Sequence, residues 1–179
     1  MGKPPRGGEE ILGAEENGSF GQDSGYGYLR EVRSIYERIM RILIDTCIYI
    51  HFAIDRSLLS RDVLAMLTDY DNVICVSAET PRELVIQYNN GKAVSKYWKS
   101  AREMVDAIQN DYFIEILPLK EEHMKTYSEL EINTAQHHKD PSDHVIIAHA
   151  ITEHLPLITE DSKFEFYKKQ GLDLILNRK

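Results

Sequence analysis

Met-Arg-Ile-Leu-Ile-Asp-Thr, at positions 40–46, is the most informative segment of this chain. Its part from 41 to 44 is short, mostly apolar and rich in β-branched residues, which predicts a buried strand. Asp45 follows directly, and an aspartate after a buried strand is costly unless it caps a helix, pairs with a cation or binds a metal. A strand that ends in a carboxylate is typical of an α/β protein with a site at the carboxyl edge of its sheet.

From Met40 onward, strand-like and helix-like segments alternate. Further strands are predicted at 73–76, 113–117, 156–159 and 172–176, and helices at 46–54, 58–68 (with Ser57 as N-cap), 77–88, 94–109, 121–134, 142–154 and 163–169. This alternation predicts a parallel sheet with helices on both faces. We therefore expect an α/β fold, a three-layer α/β/α sandwich with a short, mainly parallel sheet of about five strands.

Residues 1–39 differ from the rest of the chain. They hold eight of the ten glycines, and the segment up to Gly27 has no hydrophobic period, which predicts disorder. Apolar residues between Tyr28 and Ile39 recur at helical spacing, which predicts one short amphipathic helix. We interpret 1–39 as an extension that precedes a single domain at 40–179.

Composition limits the class of protein. No apolar run is long enough to span a membrane, and the amino terminus lacks the apolar stretch of a signal peptide, so we expect a soluble, cytoplasmic protein without a membrane partner. Cys47 and Cys75 lie in apolar runs, which indicates buried thiols rather than a disulfide or a zinc site. The net charge of −8 argues against a protein that coats nucleic acid non-specifically.

Three further acids occupy positions comparable to that of Asp45. Glu83 and Asp143 open predicted helices, and Asp161 follows the predicted fourth strand. Carboxylates at such positions converge on one crevice, where a divalent cation relieves their repulsion. Singly, Glu83 and Asp143 can be first-turn helix acids and Asp161 an N-cap. Together, the four are typical of a metal-dependent nuclease.

Four blocks of the sequence resemble those of PIN-domain ribonucleases, in particular the toxins of VapBC-type toxin–antitoxin pairs. They are Leu-Ile-Asp-Thr (43–46), Ser-Ala-Glu-Thr-Pro-Arg-Glu-Leu (77–84), Lys-Asp-Pro-Ser-Asp-His-Val-Ile-Ile-Ala-His-Ala (139–150) and Leu-Pro-Leu-Ile-Thr-Glu-Asp-Ser-Lys-Phe (155–164). The resemblance covers 40–179 and says nothing about 1–39.

The resemblance implies a metal-dependent endoribonuclease that uses one or two Mg²⁺ or Mn²⁺ ions and leaves a 5′-phosphate and a 3′-hydroxyl. Asp45 and Asp143 are then the expected ligands of the first ion, with Glu83 and Asp161 placing a second ion or the attacking water. Thr46 and Thr159 lie beside these acids, and their hydroxyls are expected to hold a carboxylate or a metal-bound water. Asp140 is either an acid that supports the metal ligands or the N-cap of the helix that presents Asp143.

The same resemblance implies an RNA substrate, a cognate antitoxin and a homodimer. This chain departs from the toxins at Ser142, where they usually carry an aromatic residue, and at His144, where they usually carry an arginine. In those toxins that arginine is often assigned a contact with a phosphate of the RNA, and this contact does not carry over to this chain. His144 or His138 is a candidate phosphate contact in its place. Further candidates for RNA binding are Lys92, Lys96, Lys99 and Arg102, which recur at helical spacing just before and within the predicted 94–109 helix, although a solvated helix face is the alternative.

Other functions fit the sequence less well. A haloacid-dehalogenase-like phosphatase needs an aspartate two residues after the first, and this chain has Cys47 there. The histidines at 137, 138, 144, 149 and 154 do not share one helical face, so a zinc cluster is not expected. The alternative that remains open is a non-catalytic PIN-like binding or scaffold protein that keeps its acids.

Overall fold

The structure, a computed structural model, describes residues 39–91 and 96–179, which belong to one compact unit, Glu37–Lys179. Residues 1–38, with almost all of the predicted amphipathic helix, and Lys92 lie outside these ranges. The described strands form one sheet. They are β1 (Arg41–Ile44), β2 (Val73–Ser77), β3 (Glu115–Leu117), β4 (Leu157–Thr159) and β5 (Leu174–Leu176).

All neighbouring strands of this sheet are parallel, in the order β3-β2-β1-β4-β5. From β1 the chain moves outward through β2 and β3, then returns to the other side of β1 with β4 and β5. The strand order therefore reverses between β1 and β4, where Ile44 pairs with Ile158. Such a switch point leaves a crevice at the carboxyl ends of the two strands, which is where α/β proteins bind their ligands.

Helices cover both faces of the sheet. They are α1 (Thr46–Ile54), α2 (Arg61–Thr68), α3 (Glu79–Asn89), α4 (Ala101–Asn110), α5 (Glu121–Glu129) and α6 (Pro141–Glu153), with 3₁₀ helices at Arg56–Leu58 and Ser162–Gln170. Successive strand residues point to opposite faces, so Ile42 and Ile44 pack in one apolar cluster and Leu43 in another. The predicted three-layer α/β/α sandwich is confirmed. No helix within 39–91 and 96–179 is long and apolar enough to cross a membrane.

Helix α6 lies at the centre of the second cluster, to which it contributes Ile146, Ile147 and Ala150. Its start combines three local signals that the sequence predicts. Asp140 is the N-cap and accepts a hydrogen bond from the Ser142 amide at 3.0 Å, Pro141 occupies the first turn, and Asp143 follows as a first-turn acid. The helix therefore begins at a fixed residue and presents Asp143 in a defined direction.

The predicted start of the helix at 94–109 is wrong, because α4 begins only at Ala101, whereas its end at Asn110 lies one residue from the predicted one. The Ser100 hydroxyl accepts a hydrogen bond from the Glu103 amide (3.1 Å), and the Glu103 carboxylate accepts one from the Lys99 amide (2.8 Å). This Ser-x-x-Glu pattern is a helix start signal, and it sets the start of α4 despite the helical spacing of the basic residues upstream. Lys96 and Lys99 precede the helix that carries Arg102, so these cations do not form a single helical strip.

Other predicted boundaries shift by a few residues for similar reasons. Helix α2 begins at Arg61 because Ser60, not Ser57, is its N-cap and accepts a hydrogen bond from the Val63 amide at 3.3 Å. The helix predicted at 121–134 ends at Glu129. The last predicted helix is a 3₁₀ helix, closed as expected by Gly171, whose φ of 101° suits glycine.

A buried polar network joins α3 to α6 below the crevice. Glu79, which is 5% exposed, accepts hydrogen bonds from the Arg82 guanidinium (Nε at 2.9 Å) and from the Ser142 hydroxyl (2.7 Å). Burial by itself raises the pKa of Glu79, but the contacts with Arg82 and Ser142 outweigh it, so that the pKa is lowered overall.

Arg82→Ala is expected to destabilise the protein by about 1–3 kcal/mol, because it leaves the buried Glu79 carboxylate without its cation. Arg102→Ala is the control, since Arg102 is 90% exposed and pairs with Asp106 at 3.5 Å on one helix. Urea denaturation of both variants measures the difference. An equal loss in the two variants would show that the network contributes nothing to stability.

Candidate active site

Asp45 lies at the switch point, between β1 and α1. Its amide donates to the Ile158 carbonyl at 3.0 Å, which continues the pairing of β1 with β4. Its carboxylate is only 6% exposed and accepts hydrogen bonds from the Thr46 amide (2.7 Å), the Thr159 hydroxyl (2.7 Å) and the Cys47 thiol (3.2 Å). Burial raises the pKa of Asp45, while these hydrogen bonds oppose the rise. The side chain is thus held in one orientation at a high electrostatic cost.

Two buried threonines connect the acids. The Thr159 hydroxyl donates to Asp45 and accepts a hydrogen bond from the Asp161 amide at 3.2 Å. The Thr46 hydroxyl donates to the Glu83 carboxylate and lies 3.1 Å from the Thr80 hydroxyl. The structure therefore places the Thr46 hydroxyl on Glu83 and the Thr159 hydroxyl on Asp45, and not on the carboxylate of the acid that neighbours each threonine in the sequence.

Glu83 does not open its helix, contrary to the expectation from the sequence. Helix α3 begins at Glu79, which is its first-turn acid, and Glu83 lies one turn further on. From there its half-buried side chain reaches Thr46. Burial raises the pKa of Glu83, the Thr46 hydrogen bond opposes this, and the charges of Asp45 and Asp140 raise it further. Glu83 thus lies close enough to Asp45 to be repelled by it.

Asp143 and Asp161 complete the crevice. Asp161 is the N-cap of the Ser162–Gln170 helix and accepts a hydrogen bond from the Lys163 amide at 2.8 Å. The side chain of Asp143 is 23% exposed. Its pKa is raised to about 8, first by burial and then by the charges of Asp45, Asp140, Glu83 and Asp161. The four sequence-predicted acids therefore form one mutually repelling group.

The donor set of this group fits a divalent cation. The four side chains offer carboxylate oxygens, the ligands that Mg²⁺ and Mn²⁺ prefer, and they converge from β1, α3, α6 and the end of β4. A cation among them would relieve the repulsion that raises the pKa of Asp143. Asp140 is exposed at the rim, where it caps α6.

His138 is a member of the site that the sequence assigned no role beyond a candidate phosphate contact. It is 1% exposed, and its Nε2 lies 2.8 Å from Oδ2 of Asp143. Burial and the neighbouring His144 lower the pKa of His138. A possible ligand atom of His138, one of Asp143 and one of Asp161 all lie within 4.8 Å of one another. No periodicity in the sequence indicates this contact, because His138 lies in the loop before α6.

The proposed RNA contact of His144 is not supported by its surroundings. The ring is 4% exposed and packs among Tyr127, His138 and Tyr167, so it belongs to the core beneath the crevice. An arginine at this helix position could extend out of the core, whereas the shorter imidazole stays buried. By contrast, Lys96, Lys99 and Arg102 are exposed, as their predicted role requires.

A second group within the described ranges, His123, His149 and Glu153, also has ligand atoms within 4.8 Å of one another. Hydrogen bonds account for the arrangement of His123 and Glu153 without a metal. Nδ1 of His123 accepts a hydrogen bond from the Lys120 amide at 2.9 Å, so the neutral ring keeps its proton on Nε2, which faces Glu153 at 3.1 Å. His123 therefore caps the start of α5 and links it to α6.

The profile of the PIN-domain family matches residues 42–170, a range that contains Asp45, Glu83, Asp143 and Asp161. The chain belongs to the PIN-domain family. The resemblance of its four sequence blocks to this family is thereby confirmed. No curated protein is significantly similar in sequence to this PIN domain.

Several solved structures share the fold of this PIN domain. VapBC2 from Rickettsia felis, bound to a DNA fragment from its promoter, is 22% identical, with a TM-score of 0.58 over 76% of this chain and 98% of that one. VapBC-1 from nontypeable Haemophilus influenzae is 17% identical, with a TM-score of 0.56 over 78% and 100%. DNA-bound VapBC from Salmonella typhimurium is 18% identical, with a TM-score of 0.55 over 78% and 99%. At these identities the similarity shows the fold alone.

Proposed function

We propose that this PIN domain is a metal-dependent endoribonuclease that hydrolyses RNA phosphodiester bonds. The convergence of four carboxylates on the crevice between β1 and β4 is the observation that carries the proposal. Burial and, after it, the repulsion among these acids raise the pKa of Asp143 to about 8, which is the electrostatic state expected of a site shaped for a multivalent cation.

The residues of the crevice have different proposed roles in metal binding and catalysis. Asp45 and Asp143 would hold the first divalent ion, and Glu83 and Asp161 would hold a second ion or orient the attacking water. Bound Mg²⁺ or Mn²⁺ supplies Lewis acidity, which polarises the phosphate and activates water. Thr46 fixes Glu83 and Thr159 fixes Asp45, so that neither carboxylate has to reorient when RNA enters. Lys96, Lys99 and Arg102 offer exposed positive charge for the phosphate backbone, and Lys92 belongs to the same proposed set.

We further propose that the protein is the toxin of a cytoplasmic toxin–antitoxin pair, silenced by a cognate antitoxin and active as a homodimer. The support is that the fold of this chain recurs in the VapBC proteins and in FitAcB from Neisseria gonorrhoeae, the latter 21% identical with a TM-score of 0.50. The residues before Met40 are proposed to be an extension of the PIN domain.

Cleavage of total RNA by the full chain tests the proposal. With Mn²⁺ we expect discrete fragments that carry a 5′-phosphate and a 3′-hydroxyl, and with excess EDTA we expect intact RNA. Mapping of the fragment ends identifies the RNA class and the sequence that is cut. A folded protein that binds Mn²⁺ but leaves every RNA intact would instead indicate a non-catalytic binding or scaffold protein.

Thr159→Val is expected to weaken Mn²⁺ binding roughly tenfold, because it removes the hydroxyl that holds the Asp45 carboxylate and leaves the side-chain volume nearly unchanged. Thr68→Val is the matched control, since the Thr68 hydroxyl bonds only backbone carbonyls of its own helix. Calorimetric titration with Mn²⁺ gives both affinities. Equal affinities for the two variants would remove Thr159 from the site.

A further inference from the structure

We propose that His138 is a direct ligand of the divalent ion in this site, so that the centre combines an imidazole nitrogen with carboxylate oxygens and selects Mn²⁺ over Mg²⁺. The inference rests on the proposed function in that both concern the same crevice. It adds a ligand that the sequence did not indicate and a preference for one class of ion.

The His138 ring is placed with one nitrogen at the crevice. His138 is almost fully buried, yet its Nε2 faces the crevice, 2.8 Å from Oδ2 of Asp143. Three possible ligand atoms, one from each of His138, Asp143 and Asp161, lie within 4.8 Å of one another. Ligands of one small cation must approach one another in this way, because each lies about 2 Å from the ion. The cluster mixes an imidazole with two carboxylates, which is a common metal-binding set in proteins.

The other ring nitrogen of His138, Nδ1, faces away from the crevice and contacts Tyr167. Nδ1 of His138 lies 3.1 Å from the hydroxyl of Tyr167, a fully buried residue whose oxygen accepts a hydrogen bond from the Asn133 amide at 3.3 Å. The phenol oxygen can accept a second hydrogen bond, and in the tautomer that carries its proton on Nδ1 the Nε2 lone pair faces the carboxylates. Metal-binding histidines are oriented by a hydrogen bond of this kind on the nitrogen that does not bind the metal.

The surrounding residues hold the ring in this orientation. Its centroid lies 5.2 Å from that of Phe164, 5.6 Å from that of Tyr167 and 4.9 Å from that of His144. The His138 amide donates to the Asn133 carbonyl at 3.1 Å, which closes the loop that carries the histidine. Backbone and ring are both fixed, so ion binding requires no rearrangement of the loop.

The chemical class of the ion follows from the ligand set. Mg²⁺ binds oxygen almost exclusively and keeps most of its water, whereas Mn²⁺ and later transition metals accept imidazole nitrogen. A site with one imidazole therefore gains affinity for Mn²⁺ that it does not gain for Mg²⁺. In the group of His123, His149 and Glu153, the neutral His123 points its protonated nitrogen at Glu153.

Pulsed electron paramagnetic resonance on the full chain with one equivalent of Mn²⁺ tests the proposal. We expect a ¹⁴N coupling typical of a directly bound imidazole. It is expected to disappear in His138→Gln and to persist in His51→Gln, whose histidine lies nearby, 2.9 Å from Glu160, but outside the cluster. Calorimetry is expected to show Mn²⁺ affinity falling roughly ten- to a hundredfold in His138→Gln, with a much smaller change for Mg²⁺.

Absence of the ¹⁴N coupling in the wild-type protein, or its persistence in His138→Gln, would overturn the proposal. Absence of the coupling in the wild-type protein decides this without any variant, so an unstable variant cannot obscure that result. RNA cleavage without the coupling removes His138 as a ligand and leaves the proposed function intact. The coupling without cleavage of any RNA supports the ligand and contradicts the nuclease.

Discussion

Asp45→Asn is expected to lower the rate of RNA cleavage at least about 10²–10³-fold, the loss typical of removing one group that stabilises charge in a transition state. Asn has nearly the shape of Asp, and the Thr46 amide can still donate to its side-chain oxygen. The substitution removes the negative charge at the switch point, where β1 and β4 end together. Because Asp45 is nearly buried, bulk water cannot replace that charge.

Single-turnover cleavage of a substrate mapped in total RNA measures this loss. Asp62→Asn is the control, because Asp62 is an exposed first-turn acid of α2 and carries the same charge away from the crevice. Circular dichroism and thermal unfolding are expected to show both variants folded. If folded Asp45→Asn cleaved RNA as fast as Asp62→Asn, the carboxylate at the switch point would have no part in the reaction.

Asp143→Asn is expected to stabilise the metal-free protein, and increasingly so as the pH rises from 5 to 8. The pKa of Asp143 is raised from 3.8 to about 8 in the folded protein, so between these values the folded state binds a proton that the unfolded state has lost. Stability falls with rising pH wherever the folded state binds more protons. Asn has no such proton to lose, and its advantage therefore grows until the pH passes about 8.

The expected size is an increase in melting temperature of about 5–10 °C at pH 8 in EDTA, which corresponds to a few kcal/mol in a protein of this length. The increase is expected to be smaller at pH 5 and to vanish below pH 4. With saturating Mn²⁺ the wild-type protein is expected to have the higher melting temperature, since it binds the ion more tightly than Asp143→Asn and is stabilised more. A difference that stays constant from pH 5 to 8 would show that the pKa of Asp143 is not raised in the folded protein.

Most of the crevice could be predicted from the sequence because its parts are local. Asp45 directly follows a strand, Asp140 and Pro141 mark the start of α6, and Asp161 follows β4 and caps a helix. A parallel sheet brings such positions to one edge whatever lies between them. For this reason the four acids could be grouped although Asp45 and Asp161 are far apart in the chain.

The features that sequence reasoning missed depend on tertiary contacts or on competing local signals. His138 reaches Asp143 because its loop closes on Asn133 and packs on Tyr167, which no hydrophobic period encodes. The true start of α4 was in the sequence, as Ser100 followed by Glu103, but our prediction extended the helix upstream to carry the basic residues at helical spacing. The burial of His144 follows from core packing around a helix that is apolar on nearly every side.

The most direct test of the metal centre is an anomalous difference map from crystals of the full chain grown with Mn²⁺. We predict a peak in the crevice, within direct coordination distance of the carboxylates of Asp45 and Asp143. Well-ordered carboxylates without a peak between them, or Mn²⁺ bound only at His123, His149 and Glu153, would contradict the account.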